Sequence, residues 1–344
     1  MAEELLCSYH EASKYPFTSR PIHEHPDQVH PNRPVAERRT MRAADGTRVR
    51  GVQLRTTQSR VFMAAGESVV FTVAATDADH APLALAVEQA VARGLSTLQD
   101  PDAPLATLTL ADDGQNGDTA AGDGTWSGTW SPVGTAFVDH AGTIRVGLKL
   151  RVAGQTGVAW LDVVHSPEVP ATWSGPIREA VEDGALAFYL PTRVESPGRY
   201  LVSARVDDAR GEPLALLTFN EVLGPGDQEI RLALHGRLIR DVAPAFPLRL
   251  RDIDAFLLRE DVDPDRALMP RISGEAYVTR PHRPDDFSPA EWQSEVKTRH
   301  LTEFSRDVEQ LRDELAELDP RRPRVSFSLD LCRGFNASPD APQA

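Results

Sequence analysis

The sequence predicts a mainly β protein: two immunoglobulin-like antiparallel β-sandwiches, preceded by an extended N-terminal arm and followed by a C-terminal α-helix. Apolar residues alternate with polar ones through the middle of the chain, as in residues 144–152 and 200–206. Such alternation places one set of side chains in a core and the other in water, which is typical of antiparallel sheets. Turn-forming residues recur about every ten residues, as expected for sandwiches and not for βαβ units.

Residues 1–44 form the predicted arm, which is rich in proline and histidine. Its prolines recur among polar residues and favour extended backbone, because proline fixes φ and removes a hydrogen-bond donor. The two β units are assigned to residues 45–167 and 168–283. Segment 83–95 fits a strand or a short helix equally well. Neither unit has the Cys–Trp–Cys spacing of antibody domains, so the prediction is immunoglobulin-like and no finer.

Residues 284–344 are predicted to contain one helix, at about 288–319, and a tail. Ser288 and Glu291 have the spacing of a capping box at the helix start. We expect the helix to dock internally, against the neighbouring sandwich; segment 325–331 is a candidate edge strand. Self-association is the alternative, because four apolar residues follow heptad spacing, namely Val308, Leu311, Leu315 and Leu318.

Composition excludes several classes of protein. The chain has 344 residues, with 37 Lys and Arg against 51 Asp and Glu, for a formal charge of -14. This balance argues against a nucleic-acid partner, since a backbone binder needs a clustered basic surface. No apolar run reaches the roughly 18 residues of a membrane helix, so no membrane span is predicted. Two cysteines exclude a Cys-rich zinc module.

An Asp- and Gly-rich tract at residues 111–124 is the most distinctive stretch of the sequence. Its oxygen-bearing residues Asp112, Asn116, Asp118 and Asp123 are candidate calcium ligands, and counting from Asp112 as position 1 of an EF-hand loop puts Asn116 at position 5 and Asp123 at position 12. The bidentate Glu of that motif is absent, however. The favoured interpretation is a long hairpin loop in which Asp, Asn and Gly serve the turn. The sequence predicts no cofactor apart from this candidate calcium ion.

Catalytic motifs are missing from the sequence. It contains no nucleophile elbow, no phosphate-binding loop and no zinc-protease motif, so the protein is not predicted to be an enzyme. A glycosidase remains the alternative, because its two carboxylates need no local motif.

Cys7 and Cys332 lie near opposite ends of the chain. A disulfide between them is expected if the protein is secreted, whereas a reducing compartment would leave two thiols.

Three stretches together resemble a known family: DGTRVRGVQLRTTQSRVFMAAGESVVFTV (45–73), LADDGQNGDTAAGDGTWSGTW (110–130) and residues 198–240 with LRLRDIDAFLL (248–258). They resemble an uncharacterised family of Gram-negative envelope proteins with tandem immunoglobulin-like domains. The Asp/Gly tract is also similar to that of bacterial surface proteins with alternative C-terminal anchors. The resemblance implies a periplasmic or extracellular location and β-sandwich modules that bind or scaffold. The sequence shows no signal peptide, which leaves the export route open.

The sequence therefore predicts a non-catalytic envelope or surface module that binds or scaffolds a protein or glycan partner. The alternative is a hydrolase acting on carbohydrate or peptide, with a carboxylate pair at the domain junction beside Trp173 or Trp292.

Overall fold

The computed structural model describes residues 2–95, 103–318 and 332. Strands account for 46% of these described residues and helix, with the 3₁₀ turns included, for 17%, which confirms the mainly β prediction. Three single 3₁₀ turns lie at Ile22–Glu24, Pro26–Gln28 and Pro284–Asp286. The helices and strands are, in chain order, α1 (Ala2–Ala12), β1 (Ser19–Pro21), β2 (Val35–Arg42), β3 (Arg48–Gln58), β4 (Phe62–Ala64), β5 (Val69–Thr76), β6 (Leu85–Gly94), β7 (Leu105–Thr107), β8 (Trp126–Trp130), β9 (Gly142–Val152), β10 (Gln155–Ser166), β11 (Ala171–Trp173), β12 (Arg178–Glu182), β13 (Ala185–Val194), β14 (Gly198–Asp207), β15 (Pro213–Leu223), β16 (Gly226–Leu234), α2 (Gly236–Val242), β17 (Arg249–Leu258), β18 (Arg266–Leu268), β19 (Ile272–Val278) and α3 (Glu295–Leu318).

The first β unit is a nine-stranded sheet that folds over on itself. Its strand order is β7-β6-β9-β10-β2-β3-β5-β8, with β4 added in parallel to β10. Strand β10 pairs with β9 along its whole length but with β2 only at Val158, opposite Arg42. Buried side chains from both halves form one core, so the halves face each other as the two layers of a sandwich. Core members include Leu54, Phe71, Val73, Ile144, Val146 and Leu148.

The hairpin of β9 and β10 has a register that follows from its turn. Ala153 and Gly154 have φ values of 46° and 81°, which is typical of the two-residue turn that joins antiparallel strands with the correct twist. This turn pairs Val152 with Gln155, and the register continues until Gly147 lies opposite Trp160.

The second β unit has two sheets around its own core. The six-stranded sheet has the order β1-β15-β14-β17-β18, with β19 on β17; in the four-stranded sheet β13 pairs with β11, β12 and β16. Segment 83–95, left undecided by the sequence, contains β6 of the first unit. Buried members of the second core include Phe188, Tyr200, Val202, Leu217, Leu232, Leu250 and Ile253.

Residues 1–44 differ from the wholly extended arm that the sequence predicted. Ala2–Ala12 forms a helix, and Val35–Arg42 is a strand of the first sheet. Glu3 and Glu4 in the first turn favour this helix through its dipole, but an 11-residue helix is marginal alone. Leu6 and Cys7 are buried, so tertiary packing stabilises it.

Helix α3 begins at Glu295, seven residues later than predicted. Ser294 caps it by accepting a hydrogen bond from the backbone N–H of Lys297 at 3.0 Å. The predicted capping box does not form, because the Glu291 carboxylate instead contacts the buried ammonium of Lys297 at 3.0 Å. The cap is therefore Ser294, six residues after the one that the sequence predicted.

Helix α3 packs against α1, whereas the sequence predicted a sandwich as its partner. Tyr9 and Phe304 meet edge to face, with 5.3 Å between ring centroids, and Arg312 pairs with Glu3 at 2.7 Å. Val308 is buried. The other heptad residues, Leu311, Leu315 and Leu318, are 45%, 45% and 83% exposed, so self-association stays a prediction. Segment 325–331 lies outside the described residues.

Among the described helices, none combines the length and the apolar character needed to cross a bilayer, as predicted.

Candidate functional site

The Asp/Gly loop before β8 gathers three carboxylates. One oxygen from each of Asp112, Asp118 and Asp123 lies within 4.8 Å of the other two. These are three of the four candidate calcium ligands. The fourth, Asn116, takes a left-handed conformation with φ 51°, and its carbonyl accepts a hydrogen bond from Thr129. The backbone of Asn116 therefore forms part of the turn and helps to hold it in place.

Backbone amides of the same loop engage these carboxylates. The donors are Gly122, Asp123 and Gly124 to Asp112, and Gly114 and Ala120 to Asp118, at 2.6–3.4 Å. The hydrogen bond from the Gly114 N–H is the main reason that the pKa of Asp118 lies below its usual range. The loop therefore compensates much of its negative charge with its own amides, as expected of an Asp- and Gly-rich turn.

Cys7 and Cys332 are joined by a disulfide that spans 325 residues. Both side chains are buried, and Cys7 belongs to α1. The sequence allowed either a disulfide or two free thiols, and the structure contains the disulfide.

The outer face of the first sandwich carries an exposed tryptophan that sequence reasoning missed. Trp160 of β10 is 38% exposed, although its neighbours Ala159 and Leu161 are buried in the core. The guanidinium carbons of Arg39 and Arg145 lie 6.0 and 5.9 Å from the centroid of its ring system, within the range of cation–π contact.

Two hollows meet at Trp160. One, of about 380 Å³, lies over β9, with Gly147 on its floor between Val91 and Trp160. The other, of about 460 Å³, opens where β2 and β10 separate beyond their single paired position. We call this surface the Trp160 face; it comprises Trp160, Val91, Gly147, Arg145 and Lys149 on the β9 side and Glu37, Arg39, Arg42 and Arg48 on the β2 side.

The charge of the Trp160 face is opposite to that of the chain. Five cationic side chains and one carboxylate line its hollows, whereas the chain carries a formal charge of -14. The ion pairs that partly neutralise it are Glu37 with Arg39, Asp162 with Arg145, and Glu88 with Lys149 and Arg151. Within the described part of the chain, no carboxylate pairs with Arg42 or Arg48. The face therefore keeps a positive excess.

The sequence did contain a signal for this face. The Ala153–Gly154 turn between two alternating strands fixes the hairpin register, and counting outward from it places Gly147 opposite Trp160. A glycine within a strand often marks a place where a ligand or another backbone approaches closely.

A third hollow, of about 270 Å³, lies at the junction of the two sandwiches, where the sequence placed the alternative hydrolase site. Its lining includes two carboxylates, Glu67 and Asp254, but neither of the tryptophans named for that site. Glu67 pairs with Arg60, and Asp254 pairs with Arg205 and Arg271. Both carboxylates are thus engaged by arginines.

Comparisons with known proteins place this fold among distant structural neighbours. No family model and no curated protein matches the sequence. A DUF4785 family protein from Legionella pneumophila is similar over 65% of this chain and 57% of its own length, with 12% identity and a TM-score of 0.43. Alpha-2-macroglobulin from E. coli matches 71% of this chain and 18% of its own, with 11% identity and a TM-score of 0.26. Squid arrestin matches 70% and 96%, with 8% identity and a TM-score of 0.21. The chain spans just over half the length of the Legionella protein, and likenesses this distant carry no functional inference.

Proposed function

We propose that this protein is a non-catalytic module of the cell envelope that binds a protein or glycan partner through the Trp160 face. The observation that carries the proposal is the exposure of Trp160 between two hollows on the outer surface of the sheet. Tryptophan and arginine are the residue types most enriched where binding energy concentrates. Here Trp160 is flanked by Arg39 and Arg145.

A periplasmic or extracellular location is part of the proposal. It is supported by the Cys7–Cys332 disulfide, because such bonds persist mainly in oxidising compartments. The resemblance of residues 45–258 to envelope proteins points the same way.

The hydrolase alternative receives less support. Glu67 and Asp254 meet at the domain junction, but each is held by at least one arginine. A glycosidase requires one carboxyl to donate a proton and the other to face the sugar or a water.

Affinity capture tests the proposal. The immobilised protein is exposed to solubilised envelope material from native cells, and retained protein and polysaccharide are compared for wild type, Trp160→Ala and Phe17→Ala. Phe17 is a matched control, since it is an aromatic residue 70% exposed outside the Trp160 face. We expect retention to fall only in Trp160→Ala. Equal retention by all three proteins contradicts the proposal, and release of reducing sugar or peptide would favour the hydrolase.

A further inference from the structure

We propose that the partner of the Trp160 face is an anionic polysaccharide, with one sugar ring stacked on Trp160 over Gly147 and its acidic groups held by the surrounding cations. This inference rests on the proposed binding function and narrows it to one class of partner.

Gly147 supplies the first argument, because its missing side chain is not required by the backbone. Its conformation is not left-handed, and an added Cβ would meet only the carbonyl oxygen of Val91, at 3.9 Å. A larger residue would therefore fit and would fill the hollow. The glycine instead leaves a floor beside Trp160 at the level of the sheet, where one face of a sugar ring can lie against the indole.

The shape of the surface supplies the second argument. The two hollows are open and meet at Trp160, so the face continues across the sheet instead of enclosing a small molecule. An extended polymer can follow such a path, with one ring on the indole and its neighbours over β9 and over the gap between β2 and β10.

The charge of the surface supplies the third argument. Lys149 and Arg151 share the single carboxylate of Glu88, which leaves one positive charge in excess beside Gly147. On the other side of Trp160, Arg42 donates to the carbonyl of Gly46, and no carboxylate of the described chain pairs with it or with Arg48. Carboxylate, sulfate or phosphate groups on a sugar chain would find cations on both sides of the ring that stacks.

Two matched pairs of polymers test the inference by titration calorimetry: polygalacturonate with its methyl ester, and dextran sulfate with dextran. Each pair keeps the sugar backbone and changes its charge. We expect binding to at least one acidic polymer and to neither neutral partner, with affinity falling as salt rises from about 50 to about 500 mM. Poly-L-glutamate, which has the charge without the rings, should bind at least about tenfold more weakly.

Two variants assign the binding to this face. Trp160→Ala should weaken it about tenfold or more through loss of the stacking surface. Gly147→Val should weaken it similarly by filling the floor, while a β-branched residue in a strand with open space keeps the fold. The controls are Phe17→Ala and Thr143→Val, the latter on the same strand and the same outer face as Gly147.

The outcomes separate this inference from the proposed function. Binding that survives both Trp160→Ala and Gly147→Val overturns the inference, as does failure to bind either acidic polysaccharide. Equal affinity for poly-L-glutamate assigns the face to acidic peptides and also overturns it. In each case the envelope capture experiment still decides independently whether the Trp160 face binds a partner.

Discussion

Arg205 and Asp254 form an ion pair of 3.0 Å in which the arginine side chain is only 2% exposed. The same guanidinium donates to the backbone carbonyls of Gln28 and Asp252 and to the side chain of Gln28. One buried cation thereby fastens the N-terminal segment to strands β14 and β17 of the second sandwich.

Replacing Arg205 by leucine should therefore lower the free energy of unfolding by about 3 kcal/mol, because it removes a cation from the partly buried Asp254 carboxylate and breaks the hydrogen bonds that hold the N-terminal segment. Urea denaturation followed by tryptophan fluorescence measures the loss. Arg199→Leu, on the exposed surface of the same strand, should change stability by no more than about 0.5 kcal/mol. Similar losses in both variants would contradict the role assigned to Arg205.

The buried His165 and the partly buried His235 should make the fold less stable in mild acid. Burial lowers the pKa of His165 and of His235, and Lys297 lowers that of His235 further. A group whose pKa is lower in the folded state stabilises the fold above its unfolded pKa of about 6.5 and loses that contribution as the pH falls toward the folded value.

The melting temperature should accordingly decrease when the pH is lowered from about 7.5 to about 5.5. In His235→Gln this decrease should be smaller. Differential scanning calorimetry at the two pH values measures it. His23→Gln, at an exposed position, provides the control. If His235→Gln and His23→Gln behave alike, His235 is not a source of the acid sensitivity.

Calcium should leave stability unchanged. The carboxylates of Asp112 and Asp118 already accept hydrogen bonds from loop amides, so a cation would have to replace or share them. We expect melting midpoints in EDTA and in millimolar calcium to agree within about 1 °C. A rise of several degrees, abolished by Asp112→Asn, would instead assign a calcium site to the loop.

Removing the disulfide should loosen α1 before it affects the sandwiches. Helix α1 is too short to be stable alone, and Cys7 is its covalent tie to the C-terminal tail. In the double variant Cys7→Ser, Cys332→Ser, backbone amides of α1 should exchange with solvent about tenfold faster or more. Ser8→Ala, on the exposed side of the same helix, is the control, and unchanged protection in the double variant would contradict the prediction.

How much could be predicted from the sequence depended on whether the signal was local. The alternation in β9 placed Ile144 and Val146 in the core and Arg145 outside, as the structure has them. The Asp/Gly composition predicted a loop, and turn geometry then brought Asp112 and Asp123 together. These features depend on neighbours within one strand or one turn.

The remaining features depend on distant contacts. Helix α1 packs through Tyr9 against Phe304 and His300 of α3, and this contact between distant parts of the chain cannot be read from the 11 residues of α1 alone. The start of α3 was misplaced for a local reason instead, because Ser294 and not Ser288 caps the helix while Glu291 pairs with Lys297. The surroundings of Trp160 include Gly147 on the paired strand of its hairpin and Arg39 on a strand across a gap in the sheet. Neither neighbour can be predicted from the alternation of apolar and polar residues alone.

The bond between Cys7 and Cys332 also determines how the protein would respond to tension. The Cα atoms of the two cysteines are 5.2 Å apart, and both sandwiches lie within the chain segment that they enclose. A force pulling on segments outside the two cysteines would pass through one covalent bond and leave the strand ladders unloaded. After reduction of the disulfide, the same force would act on both sandwiches. If they unfolded, the chain between the two cysteines, which are 325 residues apart in sequence, could extend to about 1,100 Å. The redox state of a single bond would thus set whether the protein behaves under load as a short link or as a long extensible tether.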